Sequence, residues 1–492
     1  MNLVDLLASI PEAEVAGRYP NGEILRVTAD SRLVQPGDVF VAIRGEKADG
    51  LAHAAEAAAR GALAVVSDRR RPSDVGPSVP WVRVPEPRRA LALLAARLAG
   101  APAEKLVLAG VTGTNGKTTT TTLLEALLAR RHGRSGFLGT VAYRTGRREI
   151  PADRTTPDAT VVQELLAEMV AAGLPAAAVE VSSHALALDR VAGCLFDVAV
   201  FTNLTRDHLD FHADMESYYA AKKGLFDLRK PGAAAVVNAD DAFGRRLASN
   251  IEPPVVTYSP SGGAADVRAE AARCDLSGTS LEVVHKGGRF RVESPLLGRF
   301  NVENLLAASA AGLSLGMSPA DIAGACAAVA SVPGRLERVE AGQPYVVLVD
   351  YAHTEDALRR LLCAVRELSD KKIILVFGCG GDRDRGKRAP MGRIAGELAD
   401  IAIATSDNPR SESPEAILAE IEAGLIASGA TKYLKIVDRR EAIRRALDLA
   451  NPGTVVVLAG KGHETTQTIG DRELAFSDRA VAVEMIGRRR DP

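Results

Sequence analysis

Three features of the sequence predict a three-domain α/β protein. The chain has 492 residues, apolar strand-like runs alternate with Ala-rich helical runs throughout, and run after run ends in a polar cluster. A chain this long exceeds what one ordinary core needs. Strands alternating with helices imply parallel sheets, whose ligands gather at the carboxyl ends of the strands. The expected layout is a small N-terminal α/β domain (1–100), a central P-loop parallel-sheet domain (101–335) and a C-terminal Rossmann-like α/β domain (336–492).

In the first hundred residues, Asp38–Ile43 and Ala62–Val66 read as buried strands and Leu51–Arg60 as a helix. Arg89–Leu98 reads as a helix running into Gly100-Ala101-Pro102, a linker. The central region offers strands at Leu106–Ala109, Ala176–Val179, Val198–Phe201 and Ala234–Val237, with a helix over Thr120–Arg130. The last region offers Tyr345–Val349, Ile373–Phe377, Ile401–Ala404 and Val455–Leu458. These lead into Asp350-Tyr351-Ala352-His353, Gly380-Gly381-Asp382-Arg383, Asp407-Asn408-Pro409-Arg410 and Gly460-Lys461-Gly462-His463-Glu464.

The central phosphate loop is the strongest chemical signal. Gly113-Thr114-Asn115-Gly116-Lys117-Thr118-Thr119 lies between a strand and a helix. Its small residues turn backbone N–H groups toward an anion, Lys117 reaches outer phosphates and Thr118 can ligate Mg²⁺. A strict Walker loop would have Gly where this chain has Val111, so the loop is a variant. It predicts binding of a nucleoside triphosphate.

Composition narrows the class. A formal net charge of −1 and 4% aromatic residues argue against a nucleic-acid partner. Five scattered cysteines lack metal-ligand spacing and read as reduced thiols. No basic segment with a following apolar run opens the chain, and no stretch is apolar enough to span a bilayer. A cytoplasmic monomer without membrane insertion is expected.

Outside the loop, residue types leave alternatives open. Glu180 ends an apolar run and either holds Mg²⁺ or is a solvated strand-end carboxylate. Thr205–His212 is rich in ligand-capable side chains, although a lone His208 is more often a cap. Lys222, on residue type alone, reads as part of a solvated helix face. Asp407–Arg410 suits an amino-acid ligand, with Arg410 on a carboxylate and Asp407 or Glu464 on an ammonium, or else an Asx-turn with a surface ion pair. Arg383 offers a second carboxylate clamp.

Taken in order, these segments resemble the Mur ligase family. They are Asp30-Ser31-Arg32 with Pro36–Phe40, the phosphate loop, Glu180–His184, Asn203–Asp210, Ala221-Lys222, Gly298–Asn304, Pro333-Gly334-Arg335, Asp350–His353 and Gly460–Glu464. Asp407-Asn408-Pro409-Arg410 followed by Glu412 is similar to the signature of members that use meso-diaminopimelate, whose distal carboxylate Arg410 could pair.

The resemblance implies an amide ligase. ATP phosphorylates the D-glutamate carboxylate of a UDP-N-acetylmuramoyl dipeptide, and the amine of meso-diaminopimelate attacks the acyl phosphate. It implies that Gly113–Thr119, Asn304, Arg335 and Asp350 bind ATP, and that Thr118, Glu180 and His208 hold Mg²⁺ together with Lys222 as a CO₂-derived carbamate. Ser31, Thr155, Thr156, Ser182 and Arg190 would contact the UDP-linked substrate. Arg383, Asp407, Asn408, Pro409, Arg410, Gly460 and Glu464 would contact meso-diaminopimelate, with His353 near nucleotide or amine. Glu46-Lys47, Arg154 and Leu188 depart from residues common in relatives and bear on substrate contacts. Folylpolyglutamate synthetases and the D-alanyl-D-alanine-adding relatives share the loop, but Asp407–Arg410 with Gly460–Glu464 argues against both. A P-loop motor would need a conventional Walker loop.

Overall fold

The computed structural model describes residues 1–17, 19, 20, 22–45 and 48–488. Glu46 and Lys47 lie outside the described residues. The chain divides into two compact units, Met1–Glu270 with 283–290 and 303–326, and 271–282 with 291–302 and 327–492.

The first unit carries two sheets. The smaller has the strand order Glu14–Ala16, Trp81–Arg83, Ala64–Ser67, Asp38–Val41, Arg26–Thr28. It is parallel apart from the first, antiparallel pair. Alternation along Asp38–Val41 explains its layering. Val39 and Val41 pack with Leu91 and Leu94 of the helix Pro87–Leu98, whereas Phe40 packs with Ala54 and Ala57 of the helix Ala54–Ala59. The single helix expected over Leu51–Arg60 is instead a 3₁₀ turn, Gly50–His53, running into that short helix, with Asp49 capping the turn at the Leu51 N–H.

In the larger sheet, Val107–Thr112 is central. Ala176–Glu180 pairs with it in parallel on one side and Phe196–Phe201 on the other. Arg229–Asn238 and Val255–Ser259 continue the parallel order outward. Every residue of Ala176–Glu180 is buried, as expected of a strand covered on both faces. Opposite, Gly136–Leu138, Ala142–Arg144 and Glu149–Pro151 form an antiparallel meander. The purely parallel expectation is therefore corrected to a mixed sheet. These three-residue strands are too short to show a period in sequence.

The second unit has a six-stranded sheet ordered Glu337–Arg338, Val346–Asp350, Thr454–Ala459, Lys372–Phe377, Ile401–Ala404, Tyr433–Lys435. All but the first pairing are parallel. Thr454–Ala459 is buried along its whole length, and each such Val or Leu contributes about 1.5–3 kcal/mol of burial. The carboxyl ends of these strands open into the loops that begin at Tyr351, Gly378, Thr405 and Gly460. No helix among the described residues is long and apolar enough to cross a membrane.

Candidate functional site

The phosphate loop starts where Val107–Thr112 ends, and the helix after it begins at Lys117, three residues earlier than its apolar period suggests. Gly113 has φ +150° and Gly116 +83°, both outside the range comfortable for a side chain. A methyl at Gly113 would collide with Thr202 Oγ1, and one at Gly116 with Asn304 Oδ1. Among the described residues no side chain caps this helix at Gly116, so its N-terminus faces the loop as an anion cradle. Asn203 Oδ1 accepts the Asn115 N–H at 2.9 Å, and Thr202 Oγ1 donates to Asn115 O at 2.6 Å. Lys117 Nζ donates to the Gly113 and Thr114 carbonyls at 3.1 and 2.9 Å. Asn304 meets the same helix through the Thr120 hydroxyl at 3.3 Å.

Glu180 is fully buried at the end of its strand, which rules out the solvated strand-end reading. Its Oε2 accepts from Thr118 Oγ1 at 3.2 Å and Thr140 Oγ1 at 3.0 Å, and its Oε1 from Thr140 N at 2.9 Å. Thr118 and Glu180 thus set hard oxygen donors beside the anion cradle, a donor set that suits Mg²⁺. Among the described residues, no three His, Cys, Asp or Glu side chains converge as a metal cluster. His208 is an exposed residue at φ +53°, its ring 4.9 Å from that of His184 and 6.1 Å from that of Tyr218.

Lys222 overturns the solvated-face reading. Its side chain is 1% exposed, its Nζ donates to Gly113 O at 2.7 Å, and it stands 4.5 Å over the Tyr218 ring. Burial, reinforced by the Lys117 cation, drives its pKa well below 10.5. The helix Met215–Asp227 turns this lysine inward along with Tyr218, Leu225 and Phe226, a face that its polar composition hides.

The UDP-substrate candidates also gather in the first unit. A cavity of about 1130 Å³ is lined by Ser31, Arg32, Asp158, Leu188 and Arg190 among others. Ser31 Oγ meets Glu56 at 3.2 Å, and Arg190 reaches Thr156 O at 3.0 Å and Asp158 at 3.1 Å. Thr156 and Ser182 are joined at 3.4 Å through their hydroxyls, and Thr156 donates to Glu180 O at 2.7 Å. Thr155 lies 3.0 Å from Thr140. Thr140 therefore links this cluster to Glu180, and no sequence pattern marked it.

In the second unit, Asp350 accepts from the N–H groups of Leu336 and Ala352 at 2.8 and 2.9 Å. Burial raises its pKa while the Arg335 cation pulls it down. The Arg335 guanidinium lies 5.6 Å from the Tyr351 ring centroid. His353 is exposed, its ring Nδ1 2.9 Å from Tyr351 O.

The Asp407–Arg410 loop and the Gly460–Glu464 loop meet. Asn408 Nδ2 donates to Glu464 Oε2 at 3.0 Å, and a methyl on Gly460 would stand 2.7 Å from Asp407 Oδ2. That Oδ2 is buried without a hydrogen-bond partner among the described residues. Arg410, at φ +51°, donates from Nη1 to Gly381 O at 2.7 Å. Pro409 O accepts the Glu412 N–H at 3.1 Å. Arg383 is exposed on the adjoining glycine-rich loop. Two supporting residues were missed: Lys461, fully buried between Asn408 and Glu464, and Arg388, fully buried against Glu412. Lys461 sits inside a quoted motif, whereas Arg388 carries no signal. Burial pushes the Cys194, Cys326 and Cys379 thiols up to about 12, which makes them inert packing groups.

Comparison with known proteins matches this layout. The family description "Mur ligase family, catalytic domain" fits residues 23–98, "Mur ligase middle domain" 111–312, and "Mur ligase, glutamate ligase domain" 334–462. The chain is 46% identical over 497 residues to the UDP-N-acetylmuramoyl-L-alanyl-D-glutamate–2,6-diaminopimelate ligase of Geobacillus thermodenitrificans, covering 100% of both chains. It is 48% identical over 499 residues to the ligase of the same name from Gloeobacter violaceus, covering 100% of this chain and 99% of that one. A solved structure of that name superimposes with a TM-score of 0.74 at 34% identity, covering 100% of both chains. With matches along its whole length, this chain belongs to the Mur ligase family.

Proposed function

We propose that this chain joins meso-diaminopimelate to the D-glutamate side-chain carboxylate of UDP-N-acetylmuramoyl-L-alanyl-D-glutamate, with ATP as co-substrate. The observation that carries the reading is the Asp407–Arg410 loop. A buried carboxylate oxygen without a partner among the described residues stands one residue before an asparagine and three before a guanidinium, so a ligand with an ammonium and a carboxylate completes it. Asp407 holds the ammonium, Arg410 the distal carboxylate, and Asn408, Pro409, Gly460, Glu464 and Arg383 complete the surface.

Gly113–Thr119 binds the ATP phosphates, and Lys117 neutralises charge on the transferred phosphoryl group. Asn304, Arg335 and Asp350 contact the nucleotide. Ser31, Thr155, Thr156, Ser182 and Arg190 orient the UDP-linked dipeptide. The γ-phosphoryl passes to the glutamate carboxylate, and the amine then displaces phosphate from the acyl phosphate. Thr118, Glu180, His208 and a carbamate on Lys222 would hold Mg²⁺, which supplies charge neutralisation between the two anions. His353 lies on the loop after Asp350 and serves near nucleotide or amine. Residues 1–100, 101–335 and 336–492 act as UDP-substrate, ATP and amino-acid domains of a cytoplasmic monomer.

Phosphate release with ATP and the UDP-linked dipeptide tests the reading, with meso-diaminopimelate set against L-lysine. Strong release with meso-diaminopimelate alone is expected. Equal release with lysine would remove the role given to Arg410, and silence with both would remove the acceptor.

A further inference from the structure

Lys461 is the one lysine in the two loops just described, and its side chain is completely buried. Its Nζ donates to Glu464 Oε2 at 2.8 Å and to Asn408 Oδ1 at 3.1 Å. Asn408 Oδ1 also accepts the Thr468 N–H at 3.0 Å, which leaves Nδ2 to donate to Glu464 at 3.0 Å. A flipped amide would set its NH₂ group against an ammonium and a backbone N–H, three donors without an acceptor. The buried lysine therefore fixes which face of Asn408 is oxygen.

Its charge matters as much as its hydrogen bonds. The loops Asp407–Arg410 and Gly460–Glu464 carry Asp407 and Glu464 as anions and Arg410 and Lys461 as cations, so they cancel. His463, between them in sequence, is held toward neutrality by burial. The neighbouring buried pair Arg439–Asp478 is neutral in itself. Glu464 is already matched by Lys461, whereas among the described residues Asp407 Oδ2 has no hydrogen-bond partner and Arg410 Nη1 donates to a neutral carbonyl. With Arg383 on the adjoining loop the surface carries no net negative charge, so it suits a ligand end that holds a carboxylate beside its ammonium and disfavours a bare ammonium.

We propose that Lys461 is a positioning residue that sets amino-acid specificity: by cancelling Glu464 and orienting Asn408, it leaves Asp407 and Arg410 as the charges still to be matched by the ligand. The inference rests on the reading of these loops as the diaminopimelate site. Without Lys461 the loops carry a net negative charge, which repels the distal carboxylate of meso-diaminopimelate and attracts the bare side-chain ammonium of lysine.

The test is kcat/KM for meso-diaminopimelate and for L-lysine, read by phosphate release in wild type, K461M, K461R, E464Q and K461M/E464Q. In K461M the preference for meso-diaminopimelate should fall about tenfold or more, mainly through KM, the scale of one charged hydrogen bond. K461M/E464Q restores the charge balance and should recover preference relative to K461M, and K461R should retain more of it. Equal losses for both substrates in K461M, with no recovery in the double variant, would overturn the proposal and leave Lys461 a packing residue. If thermal melts show K461M unfolded, E464Q alone decides: its extra positive charge should lower lysine use, and an unchanged preference would overturn the proposal. Silence of the wild type with meso-diaminopimelate, by contrast, strikes the underlying site reading and takes this inference with it.

Discussion

The ammonium of Lys222 lies 2.7 Å from the carbonyl oxygen of Gly113, so a buried lysine is tied to the first residue of the phosphate loop. A cation there shares the space with Lys117, and burial favours the neutral amine.

A neutral amine can attack CO₂, lose a proton and become a carbamate anion with two oxygens. Carbon-13 NMR of protein in ¹³C-bicarbonate should show one carbamate carbon that is missing in K222M. The sign of the pH effect in CO₂-free buffer also follows. Between the depressed folded pKa and the ordinary 10.5, the unfolded chain binds more protons, so this lysine makes stability rise with pH. Denaturant unfolding of K222M should show a flatter rise over that window, and identical slopes would remove the pKa argument.

Thr140 donates twice to Glu180, from its N–H at 2.9 Å and its hydroxyl at 3.0 Å. Thr140→Val keeps the shape and the backbone bond but removes the hydroxyl. If Glu180 holds Mg²⁺, loosening its orientation should raise the half-saturating Mg²⁺ concentration by about tenfold, with ATP saturating. An unchanged Mg²⁺ dependence would dissociate Thr140 from the metal.

Gly113→Ala combines a φ of +150° with a collision against Thr202 Oγ1 and close approach to Asn203 N at 3.1 Å. The strand end must shift, at a cost on the order of 1–3 kcal/mol. The loop amides would then lose their common direction. ATP should raise the melting temperature of wild type but not of G113A; equal ATP-induced shifts would show that the cradle tolerates a side chain.

How much of this was legible depended on what each residue does. The phosphate loop was readable because glycine spacing, Lys117 and a flanking strand act locally. Asp350, Asp407 and Gly460 were readable as strand-end residues, since parallel strands announce themselves as apolar runs. Lys222 was not, because whether a lysine on an amphipathic helix faces in or out depends on which face the sheet covers. Thr140 and Arg388 act through partners 40 and 24 residues away, contacts that no local pattern encodes, and Lys461, though three residues from Glu464, also turns on Asn408 53 residues away. The meander Gly136–Pro151 escaped for a different reason: three-residue strands hold too few positions for alternation to appear.

Arg388 and Glu412 give a prediction in acid. Arg388 is fully buried and grips Glu412 through Nη1 at 3.0 Å and Nη2 at 2.8 Å, and Glu412 also accepts the Asp382 N–H at 2.6 Å. The guanidinium holds the Glu412 pKa at about 2 against an ordinary 4.5. Because the folded value is the lower one, the stabilisation is complete above 4.5 and is lost as pH falls from 4.5 toward 2. Glu412→Gln abolishes the titration while keeping the size. Its unfolding free energy should therefore be lower than wild type at neutral pH, with the difference shrinking as the solution is acidified through that window. The same bond ties the glycine-rich Asp382 loop to the residues just after Arg410, so E412Q should also raise KM for meso-diaminopimelate more than KM for ATP. Parallel acid-unfolding curves would remove the pKa argument, and equal changes in both KM values would show that the pair has no particular hold on the loop that follows Arg410.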